Sequence, residues 1–198
     1  MIKAILFDLD GILLEPRKRF FSEKYAEEYC VPAVEVQKFF QHELKPCSLG
    51  KADLKERIKP FLLNWGWKGS TEEYLKYWFE SENKKQEDVL RFISELRKNN
   101  HKCYIATRNE KYRFLYLMEV VGLRQLFDEA FSSCDIGYDK TDKEYYEYIL
   151  EKLKLEPGEV LFFDDTKKNV DTAISLGLHA YLYEGFNSMK EKILEYTK

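Results

Sequence analysis

The sequence predicts an α/β fold: a parallel sheet with helices on both faces, plus a small all-helical insert. Three observations predict it. Apolar runs end abruptly in polar residues at Phe7-Asp8, Ala106-Thr107 and Phe163-Asp164, as buried strands do when they reach a sheet edge. From Lys84 onward such runs alternate with helix-length segments, the signature of βαβ units. Between Arg17 and Asn83 there is no clear β-branched run, and aromatic and aliphatic residues recur among charges at helical intervals.

In chain order, Lys3-Ala4-Ile5-Leu6-Phe7 is long enough for one buried strand, and Gly11 lets the backbone turn sharply after Asp8-Leu9-Asp10. Pro16 breaks regular structure. Phe20, Tyr25 and Tyr29 mark a first helix. Val36, Phe39, Phe40 and Leu44 mark a second, after Pro32. Leu54, Ile58, Phe61 and Leu62 mark a third, with Pro60 as an irregularity. Ser70-Thr71-Glu72-Glu73 has the form of a capping box ahead of Tyr74, Tyr77 and Trp78, aromatics read as helix packing. The segment Cys47-Ser48-Leu49-Gly50-Lys51 reads as a loop between helices. The domain division is therefore 1–16 with 84–198 as an α/β core and 17–83 as the helical insert.

In the second half, Val89, Phe92, Ile93 and Leu96 form a helix face that ends at Asn99-Asn100. His101 to Ala106 is a strand, and Tyr112, Leu115, Met118 and Val121 mark a helix closed by Gly122. Glu129 to Ser132 is a short strand, and Asp142 to Leu153 is a helix with a Tyr-rich face. Pro157-Gly158 turns the chain into Val160-Leu161-Phe162-Phe163, the cleanest buried strand. Val170, Ala173, Ile174 and Leu176 form a helix face that stops at Gly177, Leu178 to Leu182 is the last strand, and a polar helix closes the chain.

With 198 residues, 44% hydrophobic and 34% charged, the chain has material for one well-cored domain with an insert and is neither disordered nor collagen-like. A net charge of -3 offers no argument for a nucleic-acid or membrane partner, and Arg17-Lys18-Arg19 reads as a solvated helix start. No signal-peptide stretch or membrane-spanning run is present, so the expected location is cytoplasmic. Cys30, Cys47, Cys103 and Cys134 form no C-x-x-C pair and read as reduced thiols, with Cys103 in the core. His42, His101 and His179 lack metal-ligand spacing, which argues against tetrahedral zinc.

Asp8 and Asp10, two residues apart at a strand end, point the same way. Asp-Gly is also a common turn pair, so this stretch alone fits a polar turn equally well. The second pair, Asp164-Asp165, also ends a strand, and parallel α/β sheets gather their chemistry beyond the carboxyl ends of the strands. Two acidic pairs converging there suit a hard divalent cation such as Mg²⁺ with a phosphate to complete its coordination. Thr107 offers a hydroxyl at the same edge.

These motifs resemble the haloacid dehalogenase-like (HAD) superfamily, which has a Rossmann-like core. Asp8-Leu9-Asp10-Gly11-Ile12 matches its first motif, Thr107 after Tyr104-Ile105-Ala106 its second, Lys140 in Gly137-Tyr138-Asp139-Lys140 its third, and Phe162-Phe163-Asp164-Asp165 its fourth. The insert resembles the helical C1 cap, and the arrangement is closest to small sugar-phosphatase-like members of subfamily I. The resemblance implies Asp8 as nucleophile through an aspartyl-phosphate and Asp10 as general acid and then base. It implies Thr107 and Lys140 around the phosphoryl group, and Mg²⁺ on Asp8, the Asp10 carbonyl, Asp165 and Asp164. Arg108 joins the phosphate-binding set, where it meets a second anionic group or points to solvent. Ile12 stands where Thr or Val is usual, and Thr141 where proline is frequent, which leaves Lys143 as a rival to Lys140; spacing favours Lys140.

The function so implied is a Mg²⁺-dependent phosphatase of a small phosphorylated metabolite, with a sugar phosphate as the suggested kind, acting as monomer or homodimer. The alternatives are a phosphoglucomutase-like phosphotransferase and a non-catalytic HAD-fold binding protein. A metal-free haloacid dehalogenase has no use for Asp10 or the Asp164-Asp165 pair.

Overall fold

The computed structural model describes residues 1–197. Strand β1 (Ala4–Phe7) is followed by five helical stretches: α1 (Phe21–Glu28), α2 (Ala33–Lys38), α3 (Leu44–Ser48), α4 (Leu54–Asn64) and α5 (Thr71–Ser81). Then come α6 (Glu87–Lys98), β2 (Lys102–Thr107), α7 (Lys111–Leu115), β3 (Glu129–Ser132), α8 (Ser133–Ile136) and α9 (Lys143–Leu153). The chain ends with β4 (Val160–Asp164), α10 (Lys167–Ser175), β5 (His179–Leu182) and α11 (Phe186–Tyr196).

All five strands pair in parallel in the order β3-β2-β1-β4-β5, so β1 is central. Register aligns Phe7 with Ile105 and with Phe163, so Asp8, Thr107 and Asp164 come out at one edge. The period-two alternation of a strand sends Ile5, Phe7, Leu161 and Phe163 to one face, under α6, α7 and α11. It sends Ala4, Leu6, Val160 and Phe162 to the other, under α9 and α10. Being buried on both faces explains why these strands read as unbroken apolar runs.

Residues 21–79 carry their own aromatic core, including Phe21, Tyr25, Phe39, Trp65, Tyr74 and Trp78. Its two connections to the sheet form a short antiparallel ribbon: Leu14 bridges Lys85, and Gln86 N donates to Leu13 O at 2.9 Å. The insert also touches the rest of the chain through Tyr112, whose hydroxyl donates to Asp53 Oδ2 at 2.6 Å, and Tyr116, whose ring lies 5.5 Å from that of Phe79. Gly50 sits so close to Cys134 that a Cβ on it would lie 2.2 Å from the Cys134 carbonyl oxygen.

Several local expectations are adjusted. Cys47 and Ser48 close α3 rather than lying in a loop, because the chain runs on from α2 through a wider π turn at Phe39–Glu43. The helix expected over Tyr112–Val121 is α7 followed by another π turn, Tyr116–Val120. α4 passes through the exposed Pro60, since buried Ile58 and Leu62 hold the helix to the insert core. The short α8 had no sequence signal. Arg17 is not a solvated helix start; it makes ion pairs with Asp10 and Glu82. Among the described residues no helix is long and apolar enough to cross a membrane. All four cysteines are free, and Cys103 is in the core.

Candidate active site

The edge above β1, β2 and β4 opens into a cavity of about 590 Å³ lined by residues of both the sheet edge and the insert. Asp8 is the first residue past β1, tied in place by its N–H donating to Phe163 O at 2.9 Å. It is 6% exposed. Its Oδ1 accepts from Leu9 N at 2.7 Å and lies 2.6 Å from Lys140 Nζ, while Oδ2 accepts no hydrogen bond among the described residues.

Lys140 is buried between two carboxylates. Its Nζ lies 2.7 Å from Asp164 Oδ2 as well, and 3.4 Å from Ala106 O. Burial alone would push the ammonium towards neutrality, but Asp8 and Asp164 overcome that and keep its pKa raised. Lys143, the rival, begins α9 three residues further on and pairs with neither aspartate among the described residues.

Asp164 is fully buried, and its Oδ1 accepts from Thr166 N at 2.8 Å and Asn169 Nδ2 at 3.0 Å. One carboxylate oxygen each from Asp8, Asp164 and Asp165 lie within 4.8 Å of one another. Gly11, at φ +82°, makes room for this cluster: a Cβ there would stand 2.2 Å from Asp165 Oδ2. Three carboxylates around one ammonium leave uncompensated negative charge. Burial, with Asp164 pushing the same way, raises the Asp8 carboxyl to about 7 despite Lys140. Asp165 is raised by burial and by Asp164. An all-oxygen, over-anionic cluster beside a glycine cradle fits a hard divalent cation.

Asp10 lines the same cavity, with guanidinium groups around its carboxylate. Its Oδ1 receives Arg113 Nη2 at 2.8 Å and Arg17 Nη2 at 2.7 Å; its Oδ2 receives Arg113 Nη1 at 2.8 Å and Asn109 Nδ2 at 3.2 Å. Burial would raise its pKa, but Arg113 and then Arg17 outweigh that and hold the carboxyl well below the usual range. Thr107 Oγ1 accepts from Asn109 Nδ2 at 2.7 Å and lines the same cavity. Arg108 stands at the cavity's rim, 56% exposed, with Nη1 3.5 Å from Asp139 Oδ2.

The sequence-nominated residues Asp8, Asp10, Thr107, Arg108, Lys140 and Asp165 all line this cavity, and Asp164 lies beneath it. Sequence reasoning missed Arg17, Asn109, Arg113 and Asn169. The available signal was Asn109 and Arg113, four residues apart just after the second motif, on one face of a helix start.

The haloacid dehalogenase-like hydrolase family profile matches residues 2–177. A Thermotoga maritima protein named phosphorylated carbohydrates phosphatase is 24% identical over 184 residues, covering 89% of this chain and 82% of that one. A HAD family enzyme of Bacteroides thetaiotaomicron, solved with magnesium and inorganic phosphate, superposes with a TM-score of 0.80 at 17% identity, covering 96% of this chain and 99% of its own. A HAD phosphatase of Thermococcus onnurineus superposes with a TM-score of 0.63 at 25% identity, covering 94% and 90%.

Proposed function

The chain belongs to the haloacid dehalogenase-like hydrolases, and on that premise we propose that it is a Mg²⁺-dependent phosphatase of a small phosphorylated metabolite that works through an aspartyl-phosphate on Asp8. The observation that carries this reading is the Asp8–Lys140–Asp164 cluster beside Asp165 at the sheet edge. A phosphatase needs an anionic nucleophile that can meet an anionic phosphate, and here the charges that permit it are built in.

Asp8 Oδ2 carries no hydrogen bond among the described residues and is the oxygen available to attack phosphorus, while Lys140 and Leu9 N hold Oδ1. As the Asp8–phosphorus bond forms and the ester P–O bond breaks, Asp10 protonates the leaving oxygen. Asp10 then takes a proton from the water that cleaves the aspartyl-phosphate. The guanidinium contacts around Asp10 favour its carboxylate form, which serves the second step and works against the first; the proton given to the leaving oxygen is the one Asp10 takes from water in the preceding turnover. Thr107 and Lys140 hold the phosphoryl oxygens. Asp8, Asp164, Asp165 and the Asp10 carbonyl would hold Mg²⁺, which supplies Lewis-acid neutralisation of phosphoryl charge when bound.

In this reading residues 17–83 form a cap over a core of 1–16 and 84–198, and the cap reads the leaving group. Its contribution to the cavity mixes apolar surface from Phe20, Phe40 and Trp78 with the polar Ser22, Gln41 and Ser48 and the charged Arg17, Lys45 and Glu82. Flat apolar surface interleaved with hydroxyl and amide groups suits a sugar-like alcohol. The Thermotoga maritima relative's name supports the same class.

The test is phosphate release from a panel of phosphorylated metabolites with Mg²⁺ or EDTA, for wild type and Asp8→Asn. Release that needs Mg²⁺ and disappears in Asp8→Asn is the expected result. Release that persists in Asp8→Asn rejects the nucleophile, and release insensitive to EDTA rejects the metal.

A further inference from the structure

Asp10 is held in place by residues outside the four motifs. Arg113, on α7, is 3% exposed and grips both Asp10 oxygens at 2.8 Å, a two-pronged contact that sets the plane of the carboxyl as well as its position. Arg113 is itself held. Its Nη1 also donates to Asn109 Oδ1, and its Nη2 donates to Glu82 O at 3.2 Å. The Asn109 amide nitrogen bridges Asp10 and Thr107, and the Asn109 carbonyl accepts from Ser132 Oγ at 2.8 Å. The start of α7 is fixed in turn by Glu110, whose carboxylate accepts from Tyr112 N at 2.8 Å and Arg113 N at 2.6 Å.

Arg17 is a different kind of contact. It lies on the connection into the insert, its side chain is 27% exposed, and it touches Asp10 with one nitrogen while sharing itself with Glu82 at 3.1 Å. One arm on Asp10 is thus rigid and belongs to the sheet's own helices; the other is single and semi-exposed.

We propose that Arg113 is a positioning residue: its guanidinium, braced by Asn109 and the Glu82 carbonyl, orients the Asp10 carboxyl towards the leaving group and so sets the turnover of substrates with strongly basic leaving groups. This rests on the reading of Asp10 as acid and base. Proton delivery matters in proportion to the basicity of the departing oxygen. An alkoxide needs it, whereas p-nitrophenolate departs readily without it. A misplaced Asp10 therefore slows alkyl phosphates selectively, while general damage to the fold slows both classes alike. Lysine in place of Arg113 keeps the charge and loses the second prong.

The experiment measures kcat/KM with Mg²⁺ for p-nitrophenyl phosphate and for an alkyl phosphate that the wild type turns over, with glycerol 3-phosphate and glucose 6-phosphate as first probes. The readout is the alkyl-to-aryl ratio in wild type, Asp10→Asn, Arg113→Met, Arg113→Lys and the Asp10→Asn/Arg113→Met double variant. The expected result is a ratio at least tenfold lower in Asp10→Asn and Arg113→Met, intermediate in Arg113→Lys, and no lower in the double variant than in Asp10→Asn. If Arg113→Met does not fold, Arg113→Lys and Asn109→Ala carry the same comparison. An unchanged ratio in the Arg113 variants while Asp10→Asn lowers it overturns the positioning role alone, as does an additive double variant. An unchanged ratio in Asp10→Asn overturns the acid–base reading beneath it.

Discussion

Glu110 is a carboxyl outside the aspartate cluster whose ionisation the fold opposes. It is 3% exposed, and burial pushes its carboxyl up to about 7, against the α7 N–H groups and Arg113 that pull it down. A carboxyl raised in the folded state binds its proton more tightly there than in the unfolded chain. The folded state therefore loses stability as pH rises from the ordinary carboxylate range to about 7, and nothing further is lost above it. Glu110→Gln keeps an acceptor for the helix cap and removes the charge. Urea denaturation should show the variant gaining on wild type between pH 5 and pH 8, by as much as about 3 kcal/mol at one pK unit per 1.36 kcal/mol. Equal shifts at both pH values would mean that the buried carboxylate costs nothing. Glu110 was not legible from sequence, and Arg113 only through its four-residue spacing from Asn109. A Glu and an Arg just after a motif read as surface charges until the fold buries them, whereas Asp8 and Asp164 were legible because each follows an unbroken apolar run.

Among the elements, the decisive contact is where the turn after α3 meets α8. Gly50 has φ +66° and no room for a Cβ against the Cys134 carbonyl, so Gly50→Ala suffers both backbone strain and a collision with main chain. Gly122, at φ +83° with open space around it, isolates the strain alone. Gly122→Ala should cost about 1 kcal/mol by urea denaturation, in the lower part of the range for left-handed backbone. Gly50→Ala should cost more and also raise KM, because the insert can no longer seat against the sheet edge. Equal costs with unchanged KM would place the insert's seating elsewhere. Strand periodicity and helix spacing made β1, β2, β4 and the insert helices readable. The π turns and α8 were not, since a single wide turn or a four-residue helix leaves no periodicity to detect.

For the whole molecule, the proposed cation at the acidic cluster would couple binding to folding. A cation held only by the folded state adds stability, about 2.7 kcal/mol at a hundredfold excess over its Kd. For a chain of this size that is a rise in Tm of roughly 5–10 °C. Mg²⁺ should produce such a rise in wild type, EDTA should remove it, and Asp165→Asn should abolish it. An equal rise in Asp165→Asn would move the cation elsewhere. By itself the sequence determined the α/β class, the helical character of the segment that follows β1, and the meeting of Asp8, Thr107 and Asp164 at one edge. These follow from unbroken apolar runs separated by segments of helical spacing and from the rule that parallel strands present their carboxyl ends together. Only the tertiary structure decided what each charge faces: that Lys140 stands between Asp8 and Asp164, that Asp10 turns to Arg113 and Arg17, and that Arg108 pairs with Asp139. The physical reason is that charge pairing depends on distance and burial between segments as far apart in the chain as Asp8 and Lys140, and no local pattern records either quantity.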